Sequence, residues 1–241
     1  MKISVIIPAF NEERLLGQTL RQVKAALTVF EALGWENELI VCDNNSADRT
    51  AEVARAANAQ VVFERVNQIA RARNRGAAAA TGDWLLFIDA DSQPSAELLA
   101  EVAQQIQSGR CLAGGCTVRM DGNHPMGNFG TGLWNWLSRR RRLLAGSFIF
   151  CEAVAFRKVG GFSDELFAGE ELDLSRRLGE LARELRREIV ILHRHPLVTS
   201  SRKMRLYSTW ELLRLLLRVG LSRGRALRDR KACHSWYDGR R

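Results

Sequence analysis

The chain has 241 residues, 46% of them hydrophobic and 26% charged, with only four prolines and neither a low-complexity tract nor an internal repeat. That length supports one sizeable core with at most a small appendage and leaves no room for long disorder. With 36 Lys and Arg against 27 Asp and Glu, the net charge is +9, which calls for anionic partners: nucleic acid, an anionic membrane surface or phosphorylated ligands.

The opening stretch, MKISVIIPAFNEE, lacks the apolar length and cleavage site of a signal peptide. The uncharged run LLAGSFIF is too short to span a bilayer. Five scattered cysteines form no CxxC pair, and Cys42, Cys111, Cys116 and Cys151 sit in apolar surroundings as buried, reduced thiols. The expected location is therefore cytoplasmic.

In chain order, ISVII opens as a strand, followed by Leu16, Leu20, Val23 and Leu27 at helical spacing, with Asn11 as N-cap ahead of Glu12 and Glu13. Then come the strand ELIVC, a helix over 47–57, the strand QVVF, a helix over 69–80, the strand WLLFI and a helix over 95–106. Short Val- and Ile-rich runs alternating with amphipathic stretches predict a doubly wound α/β half with a mostly parallel sheet. After Gly109 the rhythm breaks. CLAGGCTVRM and GSFIFCEAVAF predict strands of a mixed or antiparallel extension, residues 134–144 a helix, and Leu174, Leu178, Leu181 and Leu185 another. The chain closes on WELLRLLLRVGLSRGRALRDRK, where residues 207–221 would form an apolar face edged with arginines. Such a segment either packs on the core or lies in a membrane interface, as could 139–142 with Trp134 and Trp136.

In open α/β sheets, ligands bind at the carboxyl ends of strands. Three such ends are polar here: Pro8-Ala9-Phe10-Asn11-Glu12, Asp43-Asn44-Asn45-Ser46 and Asp89-Ala90-Asp91. Singly, each could be a helix cap or a solvated loop; together they describe a site. GxGxxG and GxxxxGK[ST] are both missing, so the phosphates of any nucleotide need another counter-charge. Hard oxygen ligands one residue apart suit Mg2+ or Mn2+ held by carboxylates and substrate phosphates, and Asp89 and Asp91 fit.

VIIPAFNEE, VCDNNSADRT, ARARNRGAAAATGDWLLFIDAD and VGGFSDELFAGEELDLSRRL, in this order, resemble the motif set of family-2 glycosyltransferases of the GT-A fold, over roughly residues 2–187. The resemblance implies a nucleotide pocket containing Pro8, Phe10 and Glu12, with Asp43 at the base or ribose and Arg73 and Asn74 near the nucleotide. It implies Asp91 as the metal ligand beneath the diphosphate and Asp89 nearer the donor's ribose or sugar. Gly160, Gly161 and Phe162 would shape the acceptor side, with Asp173. GEELDL matches the family's Glu-Asp-x-Asp-Leu, whose second acid is the catalytic base; here that position is Glu171, with Glu170 as the alternative. His193 is a candidate further metal ligand and Arg202 a candidate diphosphate clamp.

The implied protein is a metal-dependent, inverting transferase moving one sugar from a nucleotide-diphospho-sugar to an acceptor hydroxyl. The processive Q-x-x-R-W element is missing, so one transfer per visit is expected. The implied organisation is a single domain over 1–205, with a nucleotide-binding lobe at 1–110 and an acceptor lobe at 111–205, and a basic helical tail at 206–241. The alternatives are a polyprenyl-phosphate sugar synthase of the same fold, with a lipid-linked acceptor at a membrane, or an inactive scaffold. A nucleic-acid partner is not expected, because the arginine runs adjoin leucines and only two tyrosines are present.

Overall fold

The structure, a computed structural model, describes residues 1–122, 125–200, 225–230 and 233, with no side chains described at 125–129, 225 and 226. Strand β1 (Lys2–Ala9) is buried on both faces: Ile3, Val5 and Ile7 join one core and Ile6 the other. That two-sided burial makes it a central parallel strand. It pairs in parallel with β2 (Glu36–Asp43) on one side and β4 (Trp84–Ile88) on the other; β3 (Gln60–Phe63) extends the sheet beyond β2. Past β4 come β7 (Phe148–Glu152), antiparallel, then β6 (Cys111–Met120) and β8 (Glu188–Thr199), parallel to each other, with the two-residue β5 (Ser92–Gln93) at the edge. The eight-stranded order is β3-β2-β1-β4-β7-β6-β8-β5. The expected parallel half and mixed extension are both present.

Helices α1 (Leu16–Ala32) and α4 (Ala96–Gln107) cover one face, while α3 (Ile69–Ala79), α6 (Ala153–Lys158) and α7 (Glu170–Glu184) cover the other. The chain leaves β1 toward β2 and returns through α3 to β4 on the opposite flank. The crevice opens at this switch point, between the carboxyl ends of β1 and β4. Helix α3 lies close on β1 because residue 76 is glycine: a Cβ there would stand 2.4 Å from Ile6 Cγ2.

Several boundaries differ from the sequence reading. Asn11 does not cap α1, which starts four residues after Glu12, without a side-chain cap at Leu15. Asn11 instead adopts φ 53° and ties β1 to the loop after β2: its N–H donates to Ser46 Oγ at 3.0 Å and its Oδ1 accepts from Ala47 N at 2.8 Å. The GSFIFCEAVAF strand stops at Glu152, and AVAF begins α6. Helix α2 is confined to Thr50–Ala56, and α5 spans Pro125–Arg141, starting before the predicted 134. The tail is not separate throughout. Arg225–Arg228 form a 3-10 turn against the loop before α7, where Leu227 O accepts from Phe167 N at 2.7 Å. The 207–221 helix lies outside the described residues. Cys42, Cys111, Cys116, Cys151 and Cys233 are buried and unpaired with one another.

Candidate active site

A cleft of about 500 Å3, open to solvent, lies at the switch point, lined after β1 by Pro8, Phe10 and Glu12 and after β4 by Asp89 and Asp91. Asn44, Asn67 and Ile69 close its far side. Asp43 ends β2 beside it, 8% exposed, its carboxylate accepting from Ser46 N at 3.0 Å. The expected nucleotide residues at the first two strand ends are therefore gathered in one place.

The pleat of β4 explains how its two aspartates divide. Leu86 and Ile88 pack toward α1 and α4, Leu85 and Phe87 toward α3 and α7. Asp89 continues the alternation to the α3 side. There Arg73 Nη2 meets Asp89 Oδ1 at 2.9 Å. Ser92 N then donates to Asp89 O at 3.1 Å, turning the chain, so Asp91 follows the turn and not the strand.

Arg73 is only 3% exposed and holds more than Asp89. Its Nη1 lies 2.8 Å from Glu170 Oε1, its Nη2 donates to Gly146 O at 2.8 Å, and its guanidinium stands 5.2 Å from the Phe162 ring centroid. One buried cation thus faces Asp89, Glu170 and the adjacent Glu171. Burial alone would depress the Arg73 guanidinium, but the three carboxylates hold it above its usual value. The compensation on the acidic side is incomplete. Burial, then the charge of Glu170, push Glu171 up to about 8, against the pull of Arg73. The structure separates the two acids of GEELDL: Glu170 is buried in the ion pair, whereas Glu171 is half-buried and passes beside Gly146.

Other expected residues have different partners. Arg73 is enclosed among the carboxylates, and Asn74 pins the glycine turn, donating to Phe162 O at 2.8 Å and accepting from Phe162 N at 2.9 Å. Gly161, at φ 68°, would with a Cβ come 2.7 Å from Asn74 Oδ1, so both conformation and space require glycine. Phe162 is buried at 2% against Phe87 and Phe156, so it supports the turn and does not face an acceptor. Asp173 pairs with Arg177 Nε at 2.9 Å, and Arg177 in turn donates to Val159 O, so Asp173 ties α7 to the same turn. Gly160, at φ 80°, forms the turn itself.

His193 is not beside the aspartates. Four residues of β8, 193–196, bulge out between Leu192, paired with Cys116, and Leu197, paired with Val118. The strand reaches Asp91 only at Ser200, past Thr199, which pairs with Met120; from Cys116 that is on the order of 13 Å of strand. In the bulge His195 Nδ1 lies 2.5 Å from Glu101 of α4. Arg202 falls outside the described residues. Gln68 was missed: 2% exposed just ahead of α3, it donates to Asp164 O at 2.8 Å and Leu166 O at 2.9 Å, fixing the loop that leads to Glu170. Its only sequence signal is a polar side chain at a helix start.

Among the described residues no cluster of three His, Cys, Asp or Glu forms a closed metal cage. A hard divalent ion that keeps substrate phosphates and waters as ligands needs only one or two carboxylates. Asp91, with the second oxygen of Asp89, fits that donor set.

The family described as glycosyl transferase family 2 has a sequence model that matches residues 4–159. The undecaprenyl-phosphate 4-deoxy-4-formamido-L-arabinose transferase of Edwardsiella ictaluri is 32% identical over 127 residues, 49% of this chain and 37% of that protein. The dolichol-phosphate mannosyltransferase of Pyrococcus furiosus is 28% identical over 169 residues, 68% of this chain and 44% of that protein. The chain spans less than half the length of these curated relatives. Among solved structures, the mannosyltransferase PcManGT from Pyrobaculum calidifontis, in complex with GDP-Man and Mn2+, superposes with a TM-score of 0.68 at 18% identity, covering 96% of this chain and 64% of that one. The fold matches that of GT-A glycosyltransferases. No helix among the described residues is long and apolar enough to cross a membrane.

Proposed function

Since this chain belongs to glycosyl transferase family 2, we propose that it moves one sugar from a nucleoside-diphosphate sugar to an acceptor, with inversion at the anomeric carbon. The observation that carries this reading is the convergence of sequence-distant carboxylates on Arg73, which holds Asp89 at 2.9 Å and Glu170 at 2.8 Å and so brings Glu171 to the cleft's side of the sheet. Pro8, Phe10, Glu12 and Asp43 form the nucleotide end of the site; Asp89 and Asp91 lie toward the diphosphate and sugar. Asp91 and Asp89 would hold a bound Mg2+ or Mn2+, which would supply positive charge for the leaving nucleoside diphosphate. Glu171 takes the proton of an acceptor hydroxyl as that oxygen bonds to the anomeric carbon, and the bond to the diphosphate oxygen breaks with its electron pair. Glu170 stays paired with Arg73 and positions its neighbour. The intact cluster argues against an inactive scaffold, which has no need to keep three acids on one buried cation.

A lipid-linked acceptor is the second reading, favoured by the relatives that act on undecaprenyl phosphate and dolichol phosphate by name. It entails peripheral association with a membrane. The test is a screen of nucleoside-diphosphate sugars with Mg2+ or Mn2+, scored by release of nucleoside diphosphate, run beside Asp91→Ala and Glu171→Gln. Loss of turnover in both variants is expected, with an inverted anomer in the product. Undiminished release by Asp91→Ala sinks the metal assignment, and a retained anomer sinks the direct displacement.

A further inference from the structure

We propose that the adjoining outer faces of α5 and α7 form a docking surface for a membrane that carries anionic lipids. One side of α5 is pinned to the sheet: Asn135 accepts from Val118 N at 3.0 Å and donates to Val118 O at 2.9 Å, and Ser138 is 1% exposed. The opposite stripe therefore faces outward. It carries Leu133, 57% exposed, Trp136, 59% exposed, and Arg140, whose guanidinium lies 5.9 Å from the Trp136 ring centroid. An exposed tryptophan beside an exposed leucine on a rigid helix marks a contact surface.

The helix ends in a run of four arginines, 139–142, the last at φ 54°, which turns the chain toward α7. There Arg141, Arg142 and Leu143 form one wall of an open groove of about 870 Å3, and Leu172, Arg176, Gly179 and Arg183 of α7 form the other. Those α7 residues recur at helical spacing and make a single stripe. No acidic residue lines this groove; Arg176 is paired along α7 with Asp173 at 3.2 Å and Glu180 at 3.0 Å, while Arg141, Arg142 and Arg183 supply its remaining charge. Gly179 stands mid-helix where a Cβ would meet nothing within 4 Å, which leaves a shallow trough between the basic walls.

Both stripes mix apolar side chains with arginines at the same level. That arrangement suits a layered partner, with anionic headgroups over hydrocarbon. Leu133, Trp136 and Leu172 enter the acyl boundary while the guanidinium groups pair with lipid phosphates. An acidic protein partner would supply charge but no continuous apolar layer. This surface depends on the lipid-linked reading only for its biological use, and its test needs no donor sugar.

The full chain is floated with phosphatidylcholine vesicles and with vesicles that also contain phosphatidylglycerol. The wild-type chain should float only with the anionic vesicles. Two variants, Leu133→Ser with Trp136→Ser, and Arg139, Arg140, Arg141 and Arg142 all to Gln, should each lower the bound fraction by roughly tenfold or more. Thermal unfolding should be unchanged in both, because the altered side chains are exposed, and this separates lost docking from misfolding. Wild-type-like flotation of either variant assigns binding elsewhere on the chain and overturns the proposal. So does a wild-type chain that stays at the bottom of the gradient, and that result would leave the proposed transfer reaction standing.

Discussion

Replacing Glu171 with Gln tests the electrostatics of the site without a substrate. In the folded chain this carboxyl keeps its proton up to about 8, against an ordinary value of 4.5. At 1.36 kcal/mol per pH unit, that preference corresponds to at most about 5 kcal/mol. Glu171 is half-buried, so solvent screens part of this and the retained effect should be about 2–4 kcal/mol.

The sign follows from proton counting. Between about pH 4.5 and pH 8 the unfolded chain has released this proton while the folded chain keeps it, so stability falls as pH rises. The favourable contribution is complete below about 4.5 and gone above about 8. Gln has no proton to release. Glu171→Gln should therefore match the wild-type chain near about pH 5 and exceed it by about 2–4 kcal/mol near about pH 8.5. Urea unfolding followed by tryptophan fluorescence, run on both chains across that range, gives the difference directly. A difference that stays constant with pH refutes the claim that Glu171 is held protonated by burial and by Glu170.

With a hydroxyl acceptor, kcat/KM should rise with pH through about 8 on a single-proton limb, and Glu171→Gln should cut the rate by roughly 10²–10⁴-fold and flatten the profile. With a polyprenyl phosphate acceptor, whose attacking oxygen is already ionised, the same variant should lose no more than about tenfold, so this comparison separates the two acceptor classes. Arg73→Met should destabilise by about 3–5 kcal/mol in thermal or urea unfolding, because it leaves Asp89 and the buried Glu170 facing each other without their cation. Gly161→Ala should cost about 1–3 kcal/mol by the same assay, since Cβ meets Asn74 Oδ1 at 2.7 Å at a residue held at φ 68°. Asp91→Ala should remove the metal-stimulated release of nucleoside diphosphate while shifting stability by under about 1 kcal/mol.

The parallel half was readable because its strands are buried on both sides: WLLFI has no polar position, and β4 spans those five residues. Helix α3 was equally plain, ending at Ala79 beside the predicted 80. Legibility failed where a side chain's role depends on a distant partner. Asn11 has the composition of a helix cap, but the loop after β2 offers it Ala47 N, and that contact wins. His193 follows an apolar run as a strand-end ligand would, yet a four-residue bulge in β8 sets it away from Asp91. Asp89 and Asp91 would share a face only if the pleat of β4 continued past Ile88, and the turn closed by Ser92 N on Asp89 O ends it between them. The protein partners of Arg73 and Asn74 were not legible, because nothing local shows that residues about 90 positions later need them, as the bonds from Asn74 to Phe162 and from Arg73 to Glu170 do.

Those long-range bonds also join the first half of the sheet to the segment that leads into α7. A single face of α3 and its lead-in residue reach the whole segment from Gly161 to Glu170: Gln68 holds Asp164 and Leu166, Asn74 holds Phe162, and Arg73 holds Glu170. Leu227 supports the same segment from outside through Phe167 N. Helix α3 is itself seated on β1 by the glycine contact at Ile6, and β1 and β4 carry the donor cleft. Between the cleft and Glu170 the chain is thus tied by part-buried hydrogen bonds and one buried ion pair, all from one helix and its lead-in residue. The proposed base would then be oriented before substrate arrives, and that preorganisation is the form of stabilisation that costs no rearrangement during the reaction. Its consequence is a Glu171 carboxyl placed beside Glu170, where burial and that neighbour's charge keep it protonated up to about 8 against the pull of Arg73.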